Sequence, residues 1–156
     1  MISSPQTTGL VWFRGGLRLQ DNTALAKALS ENTQVYCLFV LDDTFLHASD
    51  IGTARLSFLF DSLHDLSQSL IEHGGQLLLR KSNQVPHEVI RVAKEVGAGR
   101  IYLNEDYLPY PRQRDAQLKA LAEPEHIEVK DYLDLLLVSP SSLLTQEGKP
   151  YSVFTP

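Results

Sequence analysis

Polar residues follow three apolar segments of this 156-residue chain. They are Arg14-Gly15-Gly16, Asp42-Asp43 and Asn104-Glu105-Asp106, and Arg55 follows the second group in sequence. Guanidinium groups donate hydrogen bonds and carboxylates accept them, so these residues together suit a planar polar molecule with both donors and acceptors. The pattern indicates ligand binding rather than catalysis, provided that the fold brings the three groups together.

Sequence motifs for phosphate binding, metal binding and nucleophilic catalysis are absent. The segment 13–18 departs from G-x-G-x-x-G, and no G-x-x-x-x-G-K-[ST] occurs. The five histidines show no metal-ligand spacing with one another or with Cys37, the one cysteine. No G-x-S-x-G segment supports a Ser-His-Asp arrangement. The sequence therefore predicts neither a dinucleotide held in the usual way nor a metal site.

Short β-rich segments alternate along the chain with longer segments of helical period. This alternation predicts an α/β domain, a Rossmann-like three-layer sandwich with a five-stranded parallel sheet and right-handed crossovers. The segment 34–41 is apolar on both faces, as expected for a parallel strand covered by helices on both sides. The predicted strands are 9–13, 34–41, 76–80, 100–103 and 127–130.

Four helices are predicted between these strands, and 42–51 is predicted to be a loop. The first helix runs through 24–29 and begins at Asp21 or Asn22, either of which can cap it. The longest covers 53–73 and ends at Gly74-Gly75. Two more are predicted at about 89–96 and 112–122. The core stripe of the longest helix is predicted to be Leu56, Leu59, Phe60, Leu63, Leu66 and Leu70.

The predicted sheet places the three polar groups at one edge. In an open parallel sheet, ligands bind beyond the carboxyl ends of the strands, near the point where the strand order reverses. Each polar group follows a predicted strand directly. We therefore expect one crevice that is lined by all three.

Composition and charge limit the class of protein. Apolar residues make up 43% and charged residues 21%, which is typical of one compact soluble domain. A net charge of −5 makes the chain a poor sole DNA-binding element, since domains that hold phosphate backbone are more often basic. No run approaches the roughly 18 apolar residues of a membrane span, and no signal peptide is evident. We expect a cytoplasmic protein in which Cys37 is a buried structural thiol.

Three segments of the chain resemble the DNA photolyase and cryptochrome family. The segment 12–25, W-F-R-G-G-L-R-L-Q-D-N-T-A-L, resembles the family pattern W-F-R-x-D-L-R-x-x-D-N-x-A-L. The segment 107–115 resembles a family segment that ends in R-x-R-D, and 148–156 resembles G-x-P-Y-x-V-F-T-P-F. The family has aspartate where this chain has Gly16, which predicts that Arg14 or Arg18 lacks a partner.

The resemblance implies a domain organisation and a division of labour. It implies an N-terminal α/β domain at 1–134, an extended connector at 135–156 and a C-terminal helical domain, outside this chain, that binds FAD and damaged DNA. In the family, excited reduced flavin donates an electron to a pyrimidine dimer, so we expect no repair by this chain alone. Many members carry an antenna chromophore in the α/β domain, which passes excitation to FAD.

The resemblance also implies residues for the antenna site. Phe39, Arg55 and Asp106 match positions where some members hold deazaflavin or FMN, and the strand-end argument adds Arg14 and Asp42. The folate-binding type uses a glutamate at the position of Leu108, and leucine cannot accept a hydrogen bond from a pterin. Deazaflavin or FMN is therefore favoured over folate.

Structural roles remain open for the same residues. Phe39 suits core packing, as does Trp12, and Arg55 at a helix start suits a solvated surface. Asp106 can interact with the following helix or pair with one of its arginines. Structural ion pairs on that single helix are expected for Arg112, Arg114 and Asp115.

Three functions remain open from the sequence. The first is a photolyase that repairs pyrimidine dimers, and the second is a cryptochrome, a blue-light receptor that signals through partners. The third is a free-standing nucleotide- or partner-binding module encoded without a helical domain. The N-terminal motifs are common to the first two, and the parental gene beyond Pro156 would decide the third.

Overall fold

Five parallel strands form one sheet in the computed structural model. The structure describes residues 7–48, 51–136, 138, 142–144 and 149. Most of the 148–156 segment, including Tyr151 and Phe154, therefore lies outside the described residues. The strands are β1 (Thr8–Phe13), β2 (Gln34–Asp42), β3 (Leu77–Ser82), β4 (Arg100–Asn104) and β5 (Glu128–Tyr132). Their order is β3-β2-β1-β4-β5 and every pairing is parallel, which confirms the predicted α/β fold.

The helices follow the predicted alternation with the strands. A short helix occupies part of the predicted loop at 42–51. The helix predicted at 112–122 begins earlier, at Pro109, because proline suits a first helical position, where no amide donor is needed. The helices are α1 (Thr23–Glu31), α2 (Asp43–Leu46), α3 (Thr53–Glu72), α4 (Val85–Glu95) and α5 (Pro109–Ala122), and Glu123–Glu125 forms a 3-10 turn.

Two hydrophobic cores cover the two faces of the sheet. Alternate residues of β1 point to opposite faces, so Leu10 and Trp12 join one core while Val11 and Phe13 join the other. Helices α4 and α5 cover the face of Trp12, and α1 and α3 cover the face of Phe13. Burial on both faces explains why the strands are nearly continuous apolar runs.

The core stripe predicted for α3 is correct only in part. Leu63, Leu66 and Leu70 are buried, but Phe60 is 47% exposed, so its predicted core position is wrong. At 100° per residue, Phe60 lies about 90° around the helix from the centre of the stripe formed by Leu63, Leu66 and Leu70. The first three residues of α3, Thr53, Ala54 and Arg55, are exposed as well.

A buried tyrosine ties β4 to the end of α1. The Tyr102 hydroxyl donates to Glu31 Oε2 at 2.8 Å and accepts from Asn32 Nδ2 at 2.9 Å. Lys130 on β5 donates to the same Glu31 oxygen at 2.8 Å. Gly9 on β1 lies against this network, and a Cβ there would be 2.7 Å from Asn32 Nδ2. The close approach therefore requires glycine at residue 9.

Candidate functional site

The strand order reverses beside β1. This strand pairs with β2 on one side and with β4 on the other. A crevice at the carboxyl ends of β1 and β4 encloses about 30 Å³, room for about two water molecules, within a depression of about 400 Å³ that includes open solvent. This is the position at which open parallel sheets bind ligands. Residues in its wall include Trp12, Arg14, Asn104, Asp106 and Asp134.

Arg14 cross-links three elements at this crevice. Its guanidinium forms an ion pair with Asp115 on α5 and donates a hydrogen bond to the backbone carbonyl of Asn104 at the end of β4. It also lies over the Trp12 ring, 5.1 Å from the ring centroid. The Arg14 side chain is only 7% exposed, so it forms part of the wall itself.

Arg114 also lies near Trp12, and one of its donors is unused among the described residues. Its guanidinium carbon is 4.8 Å from the centroid of Trp12 and 5.8 Å from that of Tyr110. Its Nε is buried and has no hydrogen-bond partner among the described residues. Burial lowers the pKa of Arg114, and the nearby Arg14 cation lowers it further. The expected ion pairing within α5 is therefore wrong, because Asp115 pairs with Arg14 instead.

Asp106 faces the crevice and also contacts the start of α5. Its Oδ1 accepts a hydrogen bond from the backbone amide of Leu108 at 3.2 Å. The preceding residue, Glu105, accepts from the Tyr107 hydroxyl at 2.7 Å. Burial, with a smaller contribution from Glu105, raises the pKa of Tyr107 to about 12. Asp106 thus interacts with the following helix, as its structural interpretation predicts, while it remains in the crevice wall.

Asp42 is held by two neighbours at the end of β2. One carboxylate oxygen accepts from the Thr44 amide at 3.0 Å and caps α2, and the other accepts from the Tyr110 hydroxyl at 2.6 Å. The hydrogen bond to Asp42 raises the pKa of Tyr110, and burial adds to the effect. Tyr110 in turn lies under Arg114, so Asp42 joins the cluster of Arg14 and Trp12 indirectly.

Phe39 and Arg55 lie outside the crevice wall. Phe39 is 8% exposed and packs in the core beneath α3, although its register partner on β1, Phe13, lines the crevice. Arg55 is exposed on the first turn of α3 and lies 5.1 Å from the centroid of the Phe45 ring. Of the five predicted residues, the structure therefore places Arg14 and Asp106 in the crevice wall, whereas Phe39, Asp42 and Arg55 do not line it.

Side-chain oxygens accept hydrogen bonds from the first three backbone amides of α1. Of the two caps that the sequence allows, the structure has Asn22 rather than Asp21, since Asn22 Oδ1 accepts from the Leu25 amide at 3.1 Å. Asn104 Oδ1 accepts from the Ala24 amide at 2.9 Å and its Nδ2 donates to Asn22 Oδ1 at 3.0 Å. Asp134 Oδ1 accepts from the Thr23 amide at 2.9 Å. The N-terminus of α1 is thus joined to the ends of both β4 and β5.

Asp134 also bears on the expectation that Arg14 or Arg18 lacks a partner because residue 16 is glycine. Arg18 Nη2 donates to Asp134 Oδ2 at 2.8 Å and to the Asp21 carbonyl at 2.6 Å, and Arg14 pairs with Asp115. Neither arginine lacks a partner, so that prediction is wrong. The carboxylate that pairs with Arg18 comes from the segment after β5.

Sequence reasoning missed Asp134 although a signal was present. Asp134 lies two residues after the fifth strand, so it belongs to the same edge of the sheet as the three recognised polar groups. The predicted end of that strand at residue 130 falls two residues short of its end at Tyr132. With the strand predicted to end at residue 130, Asp134 falls at the predicted end of the α/β domain and is not recognised as a strand-end residue.

A family model described as DNA photolyase matches residues 9–156. The chain belongs to this family. Its sequence is 37% identical over 147 residues to the deoxyribodipyrimidine photo-lyase of Synechococcus sp. (strain ATCC 27144 / PCC 6301 / SAUG 1402/1), covering 94% of this chain and 30% of that protein. Other relatives are cryptochromes. The chain thus spans about a third or less of the length of these photolyase and cryptochrome relatives.

Solved photolyase structures share the fold. A bacterial class III photolyase from Agrobacterium tumefaciens superposes with a TM-score of 0.86 at 32% identity, covering 98% of this chain and 31% of that one. An archaeal photolyase from Sulfolobus tokodaii gives a TM-score of 0.81 at 33% identity, covering 90% of this chain and 32% of the other. The chain therefore corresponds to the N-terminal α/β domain of photolyases and cryptochromes.

Within the described ranges, none of the helices combines the length and the apolar character that crossing a membrane requires.

Proposed function

We propose that this chain is the light-harvesting domain of a DNA photolyase that repairs pyrimidine dimers. An antenna chromophore binds at the strand-order reversal and passes excitation to FAD in a C-terminal helical domain, which also binds the damaged DNA. We assign residues 1–134 to the α/β domain and 135–156 to a connector, most of which lies outside the described residues. Membership of the photolyase family supports this proposal, as do the photo-lyase relatives. A cytoplasmic location remains a prediction.

The polar depression beside β1 is the main observation in support of an antenna site. Arg14 and Asp106 lie in its wall, and the buried Nε of Arg114 beside it lacks an acceptor among the described residues. Such groups suit the carbonyl oxygens and ring N–H of a planar chromophore. Excitation transfer needs a fixed orientation and distance rather than an acid, a base or a nucleophile. The related Sulfolobus tokodaii structure contains two FAD molecules, with the implication of a novel light-harvesting cofactor.

The size of the crevice defines how a chromophore would bind. An enclosed volume of about 30 Å³ is far below that of a three-ring molecule, so the ring lies across the mouth of the depression with one edge directed inward. Asp106 then accepts from a ring N–H. In this proposal Phe39, Arg55 and Asp42 flank the ring on the β2 side.

The residue before α5 favours a flavin-like ring over folate. Leu108 is 66% exposed, so its side chain is available at this edge but offers no acceptor to a pterin. Tyr110, which follows shortly, is 59% exposed and presents an aromatic surface. Deazaflavin or FMN therefore remains the preferred antenna.

Trp12 provides a direct assay of chromophore binding. It is the only tryptophan, it is 2% exposed and it lines the crevice. Flavins absorb where tryptophan emits, so riboflavin should quench Trp12 emission in a saturable manner, and tetrahydrofolate should bind more weakly. Asp106→Ala should weaken riboflavin binding about tenfold or more, since a hydrogen bond to a charged group contributes about 1.5–3 kcal/mol.

A matched control separates the Asp106 contact from a general loss of charge. Asp131 on β5 pairs with Lys119 at 2.7 Å, and Asp131→Ala should leave riboflavin affinity unchanged. Quenching that does not saturate, or equal affinity in wild type and Asp106→Ala, would contradict the antenna site at this crevice. Free tryptophan at equal absorbance provides the correction for light absorbed by the flavin.

A cryptochrome is the alternative, and the cryptochromes among the relatives favour considering it. The two functions differ in the whole protein, because a photolyase repairs pyrimidine dimers under blue light and a receptor signals through partners. Repair by the full-length protein, with none by this chain alone, is the expected result. A full-length protein that binds FAD but leaves dimers intact would favour the cryptochrome.

A further inference from the structure

Two arginines lie over the single tryptophan of the chain. The guanidinium carbon of Arg114 is 4.8 Å from the centroid of the Trp12 ring, and that of Arg14 is 5.1 Å from it. Guanidinium groups keep their proton near neutral pH, so both are positively charged. A cation this close to an aromatic face is attracted by the electrons of the ring. These contacts therefore stabilise Trp12 in its neutral form.

The same contacts oppose the removal of an electron from Trp12. Loss of one electron converts the indole into a radical cation, and its attraction to each guanidinium becomes a repulsion between like charges. The Trp12 side chain is 2% exposed, so solvent screens this repulsion poorly. The two arginines therefore make Trp12 harder to oxidise.

Arg114 is the less compensated of the two cations. Arg14 forms an ion pair with Asp115. Arg114 forms none with the described residues, and its buried Nε has no hydrogen-bond acceptor among them. Its guanidinium carbon is also 5.8 Å from the centroid of Tyr110, so one cation lies near two aromatic rings. The charge of Arg114 thus acts on Trp12 with less compensation than that of Arg14.

Three carboxylates in the crevice wall accept hydrogen bonds from groups other than Arg114. They belong to Glu105, Asp106 and Asp134. Their negative charges favour an oxidised indole, but they are the same in wild type and in every variant of Arg114. A comparison among those variants therefore isolates the effect of the guanidinium.

We propose that Arg114 protects an excited chromophore in the crevice by making Trp12 a poor electron donor. An excited oxidised flavin is a strong one-electron oxidant, and Trp12 lines the crevice. An unprotected indole would give one electron to the excited ring, with no bond formed or broken, and the return of that electron would release the excitation as heat. Arg114 thus suppresses a reaction that competes with energy transfer. The benefit to the chromophore rests on the proposed function, whereas the resistance of Trp12 to oxidation does not.

The first test measures the oxidation of Trp12 without a chromophore in the crevice. Tris(bipyridine)ruthenium(II), excited by light, gives an electron to a cobalt(III) ammine, and the resulting ruthenium(III) takes one electron from Trp12. The loss of Trp12 emission per light pulse reports the rate. Arg114→Gln should lose Trp12 about tenfold faster than wild type, because it removes a unit charge in contact with the ring. Arg114→Lys keeps the charge and should recover most of the protection.

Two controls separate this effect from surface charge and from solvent access. Arg112→Gln removes the same charge from an exposed position on α5 and should leave the rate unchanged. Quenching of Trp12 emission by acrylamide should be equal in wild type and in Arg114→Gln. Equal oxidation rates in these two proteins would overturn the inference. So would an equally fast loss in Arg112→Gln, or acrylamide quenching that rises in proportion to the oxidation.

The second test measures the emission lifetime of riboflavin at saturating protein. Trp12→Phe should leave the lifetime of wild type unchanged, Arg114→Gln should shorten it, and addition of Trp12→Phe to Arg114→Gln should restore it. A lifetime that stays short in the double variant would identify Tyr110 as the donor and contradict the role given to Trp12. A longer lifetime in Trp12→Phe than in wild type would also overturn the protection, even if Arg114→Gln fails to fold. If riboflavin does not bind, the proposed antenna fails, and the ruthenium experiment still decides the role of Arg114.

Discussion

Replacement of Asn104 by alanine tests how the crevice is held open beside α1. The Asn104 side chain accepts from the Ala24 amide at 2.9 Å and donates to Asn22 Oδ1 at 3.0 Å. Asn22 is 5% exposed, so water cannot readily replace the lost partner. Asn104→Ala therefore removes two hydrogen bonds and leaves the Ala24 amide without an acceptor.

The expected destabilisation is about 2–3 kcal/mol. A neutral hydrogen bond contributes about 0.5–1.5 kcal/mol net, and a buried group left unsatisfied costs about 1–3 kcal/mol. Asn22 keeps its bond to the Leu25 amide, so only one donor is orphaned. Urea unfolding followed by Trp12 fluorescence and far-UV circular dichroism should give a lower midpoint with an unchanged m-value.

Two further variants make this result interpretable. Asn83→Ala changes an exposed residue between β3 and α4 and should alter the free energy of unfolding by no more than about 0.5 kcal/mol. Asn104→Asp keeps the acceptor for Ala24 but places a second oxygen against Asn22 Oδ1, so it should also destabilise. An Asn104→Ala protein within about 0.5 kcal/mol of wild type would refute this account of the crevice wall.

Three other predictions concern the core and the acid at the end of β5. Gly9→Ala should lower the free energy of unfolding by about 1–3 kcal/mol in urea titration, because the added Cβ would lie 2.7 Å from Asn32 Nδ2; an unchanged midpoint would contradict this packing. Cys37 should resist iodoacetamide at about pH 8 until denaturant is added, since burial raises its pKa to about 11; equal labelling rates in both states would refute its burial. Burial alone would raise the pKa of Asp134, but hydrogen bonds from Thr23 and Arg18 outweigh it and the pKa is lowered. A carboxylate of lowered pKa stabilises the fold above its unfolded-state pKa, so the advantage of wild type over Asp134→Asn should shrink from pH 7 to about pH 3 in urea titration; a constant difference would contradict it.

The sheet was predictable because its signals are local. Apolar segments such as 34–41 carry their own β preference, and glycine pairs such as Gly74-Gly75 mark the ends of helices. The exposed Phe60 was not predictable from helical period alone. Whether Phe60 is buried depends on which side of α3 meets the sheet, which only the packed structure determines.

The candidate site was predictable in position but less so in its contacts. Two of the three strand-end polar groups line one crevice, with Arg14 and Asp106 in its wall, whereas Asp42 and Asp43 do not line it. The partners of Arg14 and Arg18 are far away in sequence, at Asp115 and Asp134, so no local spacing reveals them. Phe39 matched a family position, yet an apolar residue within a covered strand packs first into the core.

The capping of α1 by distant residues has a consequence for the order of folding. The acceptors for the Thr23 and Ala24 amides lie 111 and 80 residues further along the chain. Contacts of such separation form late, because the long loops between them must close first. We expect the first turn of α1 to consolidate only after β4 and β5 have joined the sheet. Its amides should then exchange with solvent mainly through opening of the whole domain rather than through local fraying.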